Sequence, residues 1–196
     1  MRRLSPLVLG SLFACVHPGL AQAPAQAAPV IAIPGSALEF YDLAGANAVD
    51  VVQSLVEQSP AVGSVQHAAQ TRWEVVWRYP AGPDDQPNAC DLTNVEVHVS
   101  VVTDFPRWDP PAGAAPADVA EWYRYTLALA SHEAEHVQLI DDLAGTIPDV
   151  LERSDCLRAD AEGEQVLDAI REANSELDVK THDGAREGAT LAWIGG

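Results

Sequence analysis

The sequence predicts an α+β domain in which a small antiparallel sheet is followed by helices, one of them long. Two segments, "TRWEVVWRY" and "VEVHVSVV", alternate apolar and polar residues and therefore predict neighbouring strands. A later stretch with helical spacing of its apolar residues contains "HEAEH", a His-Glu-x-x-His pattern. Strands that precede long helices are typical of the α+β class.

The N-terminus predicts export. Residues 1–23 have two arginines, a short apolar run and a small-residue end at Ala23, the arrangement of a cleaved signal peptide. Two alternatives are a buried N-terminal helix and a lipoprotein box, "LFAC", that would make Cys15 a lipidated terminus. Residues 24–36 predict a flexible Ala/Pro-rich leader, and 37–196 a single domain. No other segment is apolar for long enough to span a membrane.

The charge of the chain excludes some partners. The formal net charge is −18, and the sequence contains no cluster of Lys and Arg. Nucleic acid and anionic membranes are therefore not expected as partners, since both require such clusters. With the signal peptide, this composition predicts a secreted or periplasmic protein.

The first half of the domain predicts a strand, a helix and two paired strands. "LEFYDL" is the first strand, and "NAVDVVQSLVEQSP" is a helix capped by Asn47 and stopped by Pro60. The apolar faces of the paired strands are Trp73, Val75, Trp77 and Tyr79 on one, and Val95, Val97, Val99 and Val101 on the other. His98 falls on the polar face, where a solvated side chain is expected.

The second half is predicted to be helical. The long helix begins near Asp118, with Glu121 completing a capping box, and ends near Gly145. A further helical stretch covers 148–177 in one or two pieces, with Cys156 inside it. The tail beyond it contains several glycines.

Export gives the cysteines a meaning. After removal of the signal peptide, Cys90 and Cys156 remain, and an even pair in an oxidising compartment predicts a disulfide. Free thiols or a Cys/His zinc site are the alternatives.

The "HEAEH" segment predicts a zinc site. His132 and His136 are four residues apart, so on a helix both imidazoles lie on one face and can bind one ion. The letters are the same in both directions, so Glu133 and Glu135 both require consideration. In metalloproteases with this motif the base is the glutamate after the first histidine, which selects Glu133. A solvated helix face is the alternative.

A catalytic zinc ion needs a third protein ligand. The ten residues after the pair contain no histidine, so the ligand must come from further along. His182 in the glycine-bearing tail is the favoured candidate, and Asp160 or Glu164 is the alternative.

The segments "HEAEH" (132–136) and "THDGAREGA" (181–189) resemble the bacterial family catalogued as domain of unknown function 922, described as predicted secreted zinc-dependent proteases. The resemblance extends over most of the mature chain, including "EFYDLAGANAVDVVQSL", "TRWEVVWRY" and both cysteine positions. It implies a zincin-like fold, His132 and His136 as zinc ligands, Glu133 as base, and His182 as third ligand. The tail differs by one residue, since His182 directly follows Thr181.

We therefore expect an exported zinc metallopeptidase that acts on protein or peptide substrates. Tyr123, Tyr125 and Arg186 are candidates for stabilising the oxyanion. The alternatives are a non-catalytic exported module that binds zinc or a partner, and an acidic binding domain without a metal.

Overall fold

The structure is a computed structural model that describes residues 27–62, 65–82 and 89–194. The predicted signal peptide and Cys15 lie outside these ranges. The elements are, in order, β1 (Ala37–Asp42), α1 (Ala48–Gln58), β2 (Ala61–Val62), β3 (Val65–Gln66), β4 (Gln70–Arg78), β5 (Glu96–Arg107), α2 (Pro116–Ala144), α3 (Ile147–Glu152) and α4 (Ala159–Thr181). Two short 3-10 helices follow, Ala185–Glu187 and Ala192–Ile194.

The main sheet has three strands in the order β1-β5-β4. The predicted antiparallel pairing of β4 with β5 is confirmed, with Val75 opposite Val99. β1 pairs parallel to β5, so the sheet is mixed and the prediction of an antiparallel sheet was wrong for this strand. Strands β2 and β3 form a separate two-stranded antiparallel sheet.

The predicted helices are largely confirmed. Asn47 caps α1 by accepting hydrogen bonds from the backbone N–H groups of Val49 and Asp50. α2 begins at Pro116, two residues before the predicted cap, because proline's fixed φ suits the first turn of a helix. Asp118 therefore lies inside the first turn and does not cap it.

The helical stretch predicted after α2 forms two helices, α3 and α4. Cys156 lies in the connection between them, outside the helices in which it was predicted. The predicted disulfide is confirmed: Cys90 and Cys156 are bonded, with their Cα atoms 5.7 Å apart. It joins the segment before β5 to the α3–α4 connection.

The hydrophobic core lies between the sheet and helices α2, α3 and α4. Its largest fully buried side chains are Val51, Phe105, Val137, Ile140, Ile147, Leu151 and Ile170. The end of the predicted leader also contributes, since Ile33 is buried in this core. None of the described helices is long and apolar enough to cross a membrane.

Candidate metal centre

Helix α2 presents three residues of the His-Glu-x-x-His motif on its buried side. His132, Glu133 and His136 are only 3%, 4% and 8% exposed, whereas Glu135 is exposed on the opposite flank. α2 packs against α4 and also against the sheet, so these side chains lie between the two. The four-residue spacing places the two imidazole rings with their centroids 4.8 Å apart.

Asp178 on α4 completes a three-residue donor group. Its Oδ1 lies 2.9 Å from Nε2 of His136 and 3.3 Å from Nε2 of His132. The two Nε2 atoms are 3.2 Å apart. One oxygen from α4 and two nitrogens from α2 therefore converge on one point.

The outer nitrogens of both rings have their own acceptors. Nδ1 of His132 lies 3.0 Å from Glu187 Oε2, and Nδ1 of His136 lies 2.6 Å from Asn174 Oδ1. Asn174 Nδ2 donates to the carbonyl of Ile170 at 2.8 Å, which turns its oxygen towards His136. Each neutral ring thus carries its proton on Nδ1 and directs the lone pair of Nε2 inward.

This arrangement fits a bound cation. Two inward lone pairs and a carboxylate oxygen at 2.9–3.3 Å repel one another unless a positive charge lies among them. Two imidazole nitrogens and one carboxylate oxygen are a donor set typical of catalytic zinc, and the outer acceptors orient and strengthen the histidine ligands.

Protons on the two histidines compete with a metal ion to supply this positive charge. Burial lowers the pKa of His132 and of His136, but the hydrogen bonds and charges of Asp178 and Glu133 outweigh it and leave both pKa values raised. Burial raises the pKa of Asp178, and its hydrogen bonds to the two histidines outweigh this and lower it. The site therefore favours positive charge, either as a metal ion or as protons on the histidines.

His182, predicted as the third ligand, does not join the pair. It is exposed at the C-terminal cap of α4, where its backbone is left-handed with φ 56°. α4 continues to Thr181, four residues beyond its predicted end, and the residue that this longer helix turns towards α2 is Asp178. The chain leaves the helix at His182, and its side chain stays outside the donor group.

The two acidic alternatives are also elsewhere. Asp160 accepts hydrogen bonds from Trp77 Nε1 and Tyr79 Oη, and Glu164 is exposed on α4. Asp178 was not among the predicted ligands. A signal for it was available, because Asn174 and Asp178 repeat the four-residue spacing of the histidine pair that they contact.

Glu133 lies beside the donor group. Its Oε2 accepts a hydrogen bond from Thr71 Oγ1 at 2.7 Å. Burial raises the pKa of Glu133, opposed in part by the hydrogen bond from Thr71 and by both histidines. The exposure of Glu135 agrees with the assignment of the motif's first glutamate to the site.

The turn after α4 packs against His132. Gly184 has φ 76°, and a Cβ atom there would lie 2.9 Å from Cγ of His132, so the position excludes side chains. The Gly184 N–H donates to Thr181 Oγ1 at 3.1 Å, which fixes the turn. Glu187 comes after this turn, and its carboxylate contacts Nδ1 of His132.

Two residues of α2 hold the tail that carries Glu187. Arg124 donates to the carbonyls of Gly188 and Thr190, and Glu121 accepts from the N–H of Ala192 at 2.7 Å. The tail thus folds back over α2, and it contributes Glu187 to His132 instead of a ligand to the donor group.

A cleft of about 360 Å³ opens onto the donor group. Its lining includes residues at the start of β4 and just before it, from His67 to Thr71 and Trp73. It also includes Asn174 and Asp178 on α4, and Asp183 after that helix. The predicted oxyanion candidates do not line this cleft, and Tyr125 is buried among core residues. Besides His132 and His136, the cleft is also lined by His67.

Fold and site together define an α+β domain with a candidate metal centre between its two longest helices. A family model described as "Bacterial protein of unknown function (DUF922)" matches residues 38–185, and the chain belongs to this family. The matched range includes the donor group, Glu133, Thr71 and both bonded cysteines. No curated protein and no solved structure matches the chain significantly.

Proposed function

We propose that this protein is an exported, zinc-dependent metallopeptidase. The observation that supports it most is the convergence of His132, His136 and Asp178 on one point, with Glu133 beside them in the same cleft. A metal site built only for structure is typically closed by four protein ligands, whereas three ligands facing a cleft leave a place for water and substrate.

The chain supplies three ligands and their supports. His132, His136 and Asp178 would hold the zinc ion, and Glu187 and Asn174 would keep each Nε2 lone pair directed at it. Zinc held there supplies Lewis acidity, which polarises a carbonyl and makes water more acidic.

Glu133 acts as the general base and acid. Its carboxylate takes a proton from the attacking water, and the resulting carboxylic acid gives that proton to the leaving amine. Its burial supports this role, because the raised pKa makes the carboxylate a stronger base than a solvated glutamate. Glu135 faces solvent and takes no part.

Protein or peptide chains are the proposed substrates, acted on outside the cytoplasm. The predicted signal peptide and the Cys90–Cys156 disulfide support a secreted or periplasmic location. The first residues of β4 line the cleft beside the donor group, and a substrate chain would lie there.

The test compares two variants of the same short motif. We expect the zinc-loaded protein to cleave an unfolded protein such as casein or members of a mixed peptide library, with one zinc per chain by elemental analysis. Glu133→Gln should retain the zinc and lose turnover by a factor of about 10² or more. Glu135→Gln, the matched control, should keep both zinc and activity.

The outcomes separate the alternatives. One bound zinc without any cleavage in the wild type would favour the non-catalytic zinc-binding module. An absence of zinc after purification without chelators would favour the acidic binding domain without metal. Loss of activity in Glu135→Gln instead of Glu133→Gln would show that the base has been assigned wrongly.

A further inference from the structure

Three hydroxyl groups form a line that ends on the carboxylate of Glu133. Thr71 Oγ1 donates to Oε2 of Glu133 at 2.7 Å. Thr71 Oγ1 also lies 3.0 Å from Thr103 Oγ1, which lies 2.8 Å from Ser36 Oγ. Thr103, the middle hydroxyl, is fully buried, whereas Thr71 and Ser36 are half-buried.

The sheet places these hydroxyls. Thr71 on β4 lies directly opposite Thr103 on the central strand β5, so both side chains project from the same face of the sheet, towards α2. Ser36 immediately precedes β1, which runs along the other side of β5. The line therefore runs from β4 across β5 to the residue before β1.

The chemistry of a hydroxyl suits this place. With Glu133 ionised, Thr71 donates to it, Thr103 can donate to Thr71, and Ser36 can donate to Thr103. A hydroxyl also accepts, so Thr71 remains a partner after Glu133 has taken up a proton. A guanidinium, which only donates, could not serve both forms.

We propose that Thr71 is a positioning residue for Glu133, and that Thr103 and Ser36 hold the Thr71 hydroxyl in place. Thr71 occupies Oε2 and thereby leaves Oε1 as the oxygen available to a water in the cleft. The inference rests on the proposed function for its catalytic consequence, while the position of Glu133 is a property of the fold. A small displacement of a base is costly, since about 1 Å can lower a rate by about 10².

The kinetic test uses Thr71→Val, which keeps the shape of the side chain and removes the hydroxyl. We expect kcat to fall by about 10–100-fold, with KM and zinc content unchanged, and Thr71→Ser to restore most of it. Thr103→Val should lower kcat in the same direction by less. The matched control is Thr126→Val on α2, which removes a buried hydroxyl bonded to the Trp122 carbonyl and should leave kcat unchanged.

Equal activity of Thr71→Val and wild type would overturn the proposal, as would a loss that Thr71→Ser does not reverse. Loss of zinc together with activity in Thr71→Val would show that Thr71 holds β4 against α2 and does not position Glu133. If Thr71→Val does not fold, Thr71→Ser and Thr103→Val carry the same comparison.

A crystallographic comparison separates this proposal from the proposed function. If the wild type binds zinc and cleaves nothing, the metallopeptidase assignment fails, and the structures of wild type and Thr71→Val still decide the positioning. We expect the Glu133 carboxylate to leave its place in Thr71→Val and to return in Thr71→Ser. An unmoved Glu133 in Thr71→Val would overturn the inference.

Discussion

Oδ1 of Asp178 lies 2.9 Å from Nε2 of His136, which joins α4 to α2 at the candidate metal centre. The same oxygen is 3.3 Å from Nε2 of His132. A residue 42 positions away in sequence thus completes a group whose other two members are only four apart. The candidate metal centre depends on the packing of two helices and not on one motif.

Asp178→Asn should weaken zinc binding far more than His182→Ala. The amide is a poorer ligand than the carboxylate and supplies no negative charge, whereas His182 lies exposed outside the donor group. We expect Asp178→Asn to lose more than the about 10–100-fold typical of an outer partner. Competition with a chromophoric chelator measures both affinities, and the reverse order would restore His182 as the ligand.

Glu187→Gln should lower zinc affinity by about 10–100-fold while the fold stays intact. The carboxylate at 3.0 Å from Nδ1 of His132 makes the ring a stronger ligand, and a neutral amide does so less. Glu176→Gln, an exposed acid on α4, removes the same charge away from the site and is the matched control. Unequal thermal stability of the two metal-free variants would indicate that Glu187 acts on folding.

Zinc should stabilise the protein more as pH rises from about 5 to about 8. The raised pKa values of His132 and His136 mean that protons stabilise the metal-free fold below the unfolded-state value of about 6.5, and this contribution is lost as pH rises through the folded values. The lowered pKa of Asp178 has the opposite sign, and its contribution is lost only in stronger acid. Zinc must displace the histidine protons, so its affinity falls as pH falls.

Thermal unfolding with and without zinc across this pH range measures the effect. The difference in Tm between the two forms should grow towards high pH. A difference that does not change with pH would mean that zinc binds away from these histidines.

Local spacing was sufficient to predict the part of the site that lies on α2. His132, Glu133 and His136 are set by one helical turn, and a period of 3.6 residues is visible in the sequence itself. The pairing of β4 with β5 was predictable for the same reason, since alternation of apolar residues marks the face each strand buries.

Long-range packing decided what local spacing could not. An aspartate on an acidic helix is typical of a solvated face, and the position of α4 against α2 is what brings Asp178 to the histidines. The parallel direction of β1 likewise depends on where the chain returns to β5, which no local pattern contains. By residue type, His182 in the glycine-bearing tail was a more obvious zinc ligand than an aspartate. In the structure it lies at the left-handed cap of α4, exposed and outside the donor group.

Loss of the Cys90–Cys156 disulfide should lower the free energy of unfolding by about 2–5 kcal/mol. The bond closes a loop between cysteines 66 residues apart, so it removes many conformations from the unfolded chain. Denaturant unfolding of the oxidised protein with and without reductant measures this. A Cys90→Ser, Cys156→Ser double variant should unfold like the reduced protein and be indifferent to reductant; equal stability of all forms would contradict the prediction.

Gly184→Ala should impair the metal centre as well as the fold. The residue has φ 76°, so any side chain there is strained at a cost of about 1–3 kcal/mol, and the added Cβ would lie 2.9 Å from Cγ of His132. Gly113→Ala is a close control, because Gly113 has φ 98° and its added Cβ meets nothing within 4 Å. Both variants should lose stability through the backbone.

Only Gly184→Ala should also lose zinc affinity, because the new methyl group displaces the His132 ring from its place between Glu187 and Asp178. Chelator competition on both variants, at a temperature where each is folded by circular dichroism, isolates this contact. Equal zinc affinities would show that the ring tolerates the methyl group and that the turn after α4 supports the fold alone.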